Sequence, residues 1–180
     1  RAKPGTVTLG GTAYTVFEGT FDVAGGFQDF GFYRKSGNDY YNYIDVGYFF
    51  GFDDPQNAEY VFLKDNLSAN SSWQTPGFSG TVTDSSGTYA FTIRIAFTIE
   101  QKDVTVNIGG VSYPNTIVVA EKYDILNGAD WLDAPPVLGF YKSYYSRNVG
   151  LVKQESYYEE GNPAPTLVDR KQDIRRYQVL

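Results

Sequence analysis

Histidine, cysteine and methionine do not occur anywhere in this chain of 180 residues. Without histidine, no side chain has an unperturbed titration near neutrality, and a Ser-His-Asp triad is excluded. Without cysteine there is no thiolate nucleophile and no disulfide framework. Zinc, copper and haem sites lose their ordinary donors together. A phosphate-binding glycine loop ending in Lys-Ser/Thr, a Gly-x-Gly-x-x-Gly fingerprint and a Gly-x-Ser-x-Gly elbow are missing as well. No run of about 18 apolar residues is present, so the sequence predicts no membrane-spanning helix.

Positive charge is also scarce. Fifteen Lys and Arg stand against 21 Asp and Glu, a net charge of −6, which speaks against a nucleic-acid surface. The one basic cluster, Arg170, Lys171, Arg175 and Arg176, is diluted by Asp169 and Asp173 and reads as a solvated strand face or turn. The chain starts at Arg1 instead of Met, which predicts trimming from a longer precursor. Residues 1–6 read as a leftover linker, and residues 1–180 as a single β domain.

What the chain has in abundance is aromatic residues, 17% of the total. From Thr88 to Glu100, Tyr89, Phe91, Ile93, Ile95, Phe97 and Ile99 alternate with smaller or polar residues, the two-residue period of a half-buried strand. At roughly 3.3 Å per residue such a strand runs on the order of 40 Å. That length suits a tall curved sheet. Val104, Val106 and Ile108 resume the alternation after a turn expected at Gln101 to Asp103, and Gly109-Gly110 has the form of a two-residue hairpin loop leading to Val111 and Tyr113. Ile117 to Tyr123 is another β-branched run, and weaker strands are predicted at Tyr14 to Val23, Asp39 to Phe50, Ala58 to Leu63, Phe78 to Thr83, Val137 to Tyr145, Val149 to Tyr157 and Ile174 to Leu180. Gly51 to Asn57, Gly128 to Pro136 and Glu159 to Pro165 read as turns or loops. The expected fold is all-β, with no long helix.

Two segments, Phe62 to Trp73 with its Leu-Lys-Asp…Ser-Trp core and Tyr144 to Lys153, flank an Asn107 to Asn115 hairpin. Together they resemble exported Bacteroidetes-type envelope proteins and lipoproteins, which carry a Leu-Lys-Asp…Ser-Trp segment and a Tyr-Tyr-x-x-Gly-Val-Gly-Leu-Val-Lys strand. The resemblance implies export to the periplasm or outer-membrane surface, with a membrane attachment, if any, through an acylated cysteine upstream of Arg1. It also implies a long antiparallel sheet curled into an incomplete barrel, similar to lipoprotein-carrier half-barrels, whereas periodicity alone equally allows a two-sheet β-sandwich. Where the family pattern has glycine, this chain has Asn70 and Asn148. Asparagine tolerates a left-handed backbone best among non-glycine residues, so Trp73, Asn148 and Gly150 are expected to mark architecture, with Gly150 at a bend.

The aromatic residues fall into three clusters: Tyr40, Tyr41 and Tyr43; Tyr48, Phe49, Phe50 and Phe52; and Phe140, Tyr141, Tyr144 and Tyr145. Neighbours on a strand point to opposite faces, so one set of rings fills the core and the other is left for solvent or a ligand. Trp131, Tyr41, Tyr43 and Tyr144 are the ligand-binding candidates, Trp131 because it is expected in a loop. No catalytic residue, metal ligand or cofactor is expected. Asp53, Asp54 and Asn57 offer oxygen donors for calcium but read as capping groups in a turn.

These features lead to a non-enzymatic exported protein that binds an apolar ligand, a glycan or a protein partner through a concave aromatic face. A structural or assembly role in the envelope is the second expectation. The third is a glycoside hydrolase, which requires only two carboxylates, drawn from Asp45, Glu121, Glu155, Glu159 and Glu160.

Overall fold

A computed structural model describes residues 2–19, 28–134, 140–157 and 168–173. About 75% of the chain is strand, arranged in open antiparallel sheets, and among the described residues the only helix has five residues. Neither sheet closes into a barrel. The chain divides into two compact units, residues 1–66 and 67–178.

The first unit is a meander in which β1 (Ala2–Leu9), β2 (Thr12–Gly19), β3 (Gln28–Ser36), β4 (Asp39–Asp45) and β5 (Asn57–Lys64) pair in chain order. Ala2 to Thr6, expected as linker, belongs to β1, and its polar residues are tolerated because β1 is an edge strand with an irregular register between Ala2 and Thr6. The strand expected from Asp39 to Phe50 ends at Asp45, and Val46–Phe50 form a one-turn helix, α1. Its aromatic residues favour strand, but local hydrogen bonds win. The Asp45 carboxylate accepts from the Tyr48 and Gln56 amides at 3.0 and 2.8 Å, and Gly51 closes the helix at φ 73°. Tyr14, Val16, Phe17, Val46, Tyr60 and Leu63 are buried.

The second unit is built on one long hairpin, β8 (Gly87–Ile108) with β9 (Val111–Asn127). Gly109 and Gly110, at φ 56° and 82°, supply the two positive dihedrals of its tight turn. The turn expected at Gln101 to Asp103 is instead a set of register shifts within β8, with Asp103 at φ 55°. Shorter strands line both sides. Along β8, β6 (Ser72–Gln74) pairs with Ala96 to Thr98 and β7 (Phe78–Asp84) with Gly87 to Ile93. Along β9, β10 (Asp130–Asp133) pairs with Asp124 to Asn127, and β11 (Phe140–Ser146) with Thr116 to Glu121. β12 (Gly150–Tyr157) and β13 (Val168–Asp173) complete the order β13-β12-β11-β9-β8-β6. The predicted strand at Ile174 to Leu180, the loop at Glu159 to Pro165, Pro135-Pro136, Arg175 and Arg176 lie outside the described residues.

Register determines which side chains share a face. Ile93, Ile95, Phe97 and Ile99 stand opposite Ile125, Tyr123, Glu121 and Val119, and Tyr141 and Tyr145 stand opposite Glu121 and Ile117. Ile93, Ile95, Phe97 and Ile99 are all buried, as are Ile117, Val119 and Tyr123, so this is the apolar face. The alternation loses its force at the far end of β8, where Tyr89 and Phe91 are exposed.

Candidate functional site

The other face of the second sheet carries the chemistry. Arg94, Ala96 and Thr98 of β8 face Asp124, Lys122 and Ala120 of β9; Lys142 and Tyr144 of β11 lie beside Ala120 and Val118 and, across β12, Glu155 and Lys153. Phe140 is paired with Tyr157, and Trp131 with Leu126. Because strand side chains alternate, all of these project to the same side. Four cation–π contacts gather here: Arg94 lies 4.2 Å from the Trp131 ring, Lys153 4.9 Å from Tyr144, Lys142 5.7 Å from Tyr157, and Lys122 5.9 Å from Phe140. The Phe140 and Tyr157 rings stack at 4.6 Å and 4°. Such pairs hold rings and charges in fixed relative positions, each worth about 0.5–1 kcal/mol where exposed.

Glu155 organises one end of this face. Its carboxylate accepts from Tyr144 at 2.7 Å and Tyr157 at 2.8 Å and pairs with Lys153 at 2.6 Å. Burial works against its charge, but the three donors prevail and bring its pKa down to about 2. Burial first, and then the bond to Glu155, push the Tyr144 phenol well above its usual range and that of Tyr157 up to about 12. Elsewhere Arg94 bonds Asp124 at 2.7 Å and Lys142 bonds Glu100 at 2.8 Å.

On the apolar face a second carboxylate meets the opposite environment. Glu121 lies between Phe97 and Tyr141 in register, and Tyr123 donates to it at 3.0 Å. The residue as a whole keeps some exposure, yet its carboxyl is enclosed, and loss of water raises its pKa to about 7 against the Tyr123 bond.

The first unit has a polar network of its own. Arg34 grips Glu59 with two bonds, Nε to Oε2 at 2.5 Å and Nη2 to Oε1 at 2.6 Å, and Tyr14 donates to Oε2 at 2.5 Å. The Arg34 bonds outweigh burial and hold Glu59 below the usual carboxylate range.

The predicted ligand-binding residues therefore fall into two places. Tyr41 lies under the Arg34 guanidinium at 3.7 Å, and Tyr43 touches Tyr14 and Phe32, both on one face of the first sheet. Trp131 and Tyr144 share the charged face of the second. Trp131 is not in a loop but on β10, where Arg94 covers its ring, so a packing role exists after all. Trp73 stacks on Phe97 at 5.3 Å and 13°. Asn70, Asn148 and Gly150 have φ of 67°, 61° and 94°. Of the acids weighed for a hydrolase, Asp45 caps α1, Glu121 and Glu155 occupy opposite faces of one sheet, and Glu159 and Glu160 lie outside the described residues. Among the described residues no group of three or more His, Cys, Asp or Glu is placed to hold a metal ion.

The sequence reading missed Arg94, Lys122, Lys142 and Lys153. A signal was present in the alternation Phe140-x-Lys142-x-Tyr144 and Lys153-x-Glu155-x-Tyr157, which puts cations and rings on one face at strand spacing. Compared with family models, curated proteins and solved structures, the chain matches none of them.

Proposed function

We propose that this chain is a non-catalytic binding module whose ligand settles on the aromatic and cationic face of the second sheet. The observation that carries the reading is the gathering of four ring–cation contacts on that one face. Trp131, Phe140, Tyr144 and Tyr157 each keep part of their surface accessible. Half-wet rings offer a flat apolar platform, and neighbours that already hold them lower the entropy lost on binding. An apolar ligand, a glycan or a protein partner is compatible with such a platform. Placement in a Gram-negative envelope is part of the proposal and is supported by the resemblance of the Phe62 to Trp73 and Tyr144 to Lys153 segments.

Hydrogen exchange on the whole chain, with and without panels of glycans, lipids and peptides, tests the binding role. Protection of β8 to β12 amides that disappears in Trp131→Ala and Tyr144→Ala variants is expected. Saturating panels that leave those strands unchanged refute it. A second reading, docking onto a neighbouring envelope protein, is favoured by α1, where Tyr48 is 87% and Phe49 45% exposed. It predicts that Tyr48→Ser abolishes cross-linking to that neighbour and leaves ligand protection intact.

A further inference from the structure

On the charged face, short side chains occupy the middle. Ala96 stands between Gln74 of β6 and Lys122 of β9, and Thr98 between Ser72 and Ala120. Alanine, serine and threonine reach a few ångströms less far from the sheet than the residues that bracket them. Arg94 with Trp131 rises on one side, Lys142 with Glu100 on another, and the stacked Phe140 and Tyr157 on a third. Side-chain length alone outlines a shallow trough here. Ser72, Gln74 and Lys122 are exposed along it, Ala120 between Thr98 and Lys142 is buried, and the Ser72 and Thr98 hydroxyls bond each other at 2.9 Å.

Charge within the trough is uneven. Arg94, Lys142 and Lys153 are each matched by a carboxylate, Asp124, Glu100 and Glu155 respectively. Lys122 has no carboxylate partner among the described residues, and its one described contact is the Phe140 ring at 5.9 Å. In a chain of net charge −6, an exposed lysine with no carboxylate partner among the described residues, beside an aromatic platform, is a place where an anion would be favoured.

Resting on the binding role proposed above, we infer that the trough takes an acidic glycan, a pyranose chain bearing a carboxylate. The apolar face of a sugar ring lies on Phe140, its hydroxyls exchange bonds with Gln74, Ser72 and Thr98, and its carboxylate pairs with Lys122. An apolar lipid chain would leave those floor groups unsatisfied, which disfavours it. A neutral glycan leaves Lys122 unused.

Titration calorimetry and hydrogen exchange with trigalacturonate and with its fully methyl-esterified form provide the test, since the two share ring geometry and differ in charge. The acid is expected to bind at least about tenfold more tightly than the ester, with the advantage lost in Lys122→Gln and diminished by salt. Lys122 is exposed and glutamine keeps a polar, only slightly shorter side chain, so folding is not at stake. Equal binding of acid and ester, or an acid preference that survives Lys122→Gln, overturns the inference while leaving the binding role standing. If neither binds, the acidic-glycan inference fails. If the wider panels also leave β8 to β12 unprotected, the binding role fails with it.

Discussion

Glu121 on β9 and Glu155 on β12 belong to one sheet, with β11 between them, and differ chiefly in the face they occupy. Glu121, among Phe97, Tyr141 and Tyr123, has one donor and loses its water, which lifts its pKa to about 7. Glu155, although also buried, receives Lys153, Tyr144 and Tyr157, and its pKa falls to about 2. Burial alone therefore does not decide whether a carboxylate is charged; the number of donors converging on it does. The apolar face buries its side chains, and the charged face holds its polar groups in fixed bonds.

The largest expected effect breaks the apolar face. Phe97→Ala removes a fully buried ring stacked on Trp73, and chemical denaturation should register a loss of about 3–5 kcal/mol. A loss below 1 kcal/mol would mean that this face is not the core.

Glu121→Gln sharpens the contrast. Its folded pKa lies above the ordinary 4.5, so the unfolded chain ionises first and stability falls as pH rises from about 4.5 to 7. Replacement by glutamine is expected to abolish that slope, stabilising the protein at pH 8 by up to about 3 kcal/mol and leaving it nearly unchanged at pH 4. Denaturation curves at the two pH values decide the matter, and identical wild-type slopes in both proteins would contradict it.

Glu155 has the opposite sign. With a folded pKa near 2, its stabilisation is complete above the ordinary value of 4.5 and vanishes as pH falls toward 2. Glu155→Gln is expected to cost about 2 kcal/mol at pH 7 and to cost little at pH 2.5, as read from paired thermal melts.

The smallest effect concerns the turn between β11 and β12. Asn148→Ala keeps a β-carbon at φ 61° but removes the short amide that makes this conformation tolerable, and should cost about 1 kcal/mol, whereas Asn148→Gly should fall within a few tenths of wild type. Equal costs would show that the asparagine side chain, not the dihedral, matters there.

Much of the architecture was legible from residues alone, because β8 alternates from Tyr89 to Ile99, β9 carries the β-branched run from Ile117, and a Gly-Gly turn joins them. The edge strand β1 was not, since Lys3, Pro4 and Gly5 satisfy no apolar period. β3 escaped for a related reason: Gly31 interrupts its pattern, and its pairing with β2 and β4 is what makes it a strand. α1 was misread because Tyr48, Phe49 and Phe50 favour strand, while the Asp45 carboxylate that caps it is also held by the Gln56 amide, which requires the chain to fold back eleven residues later. The candidate site was half legible. Its rings could be counted, but matching lysines to rings across β9, β11 and β12 requires the register, which composition does not encode.

Past Val104 and Thr116 the central hairpin runs on with no neighbouring strand on either flank among the described residues. A straight ribbon of that kind would invite foreign chains to zip alongside and seed aggregation. The irregular register from Ile99 to Val106 interrupts the β8 flank, and Pro114, which has no amide hydrogen, blanks a position on the β9 flank. With Ser146 and Arg147 also bonding the Pro114 and Asn115 carbonyls, the tip offers a foreign strand little to copy.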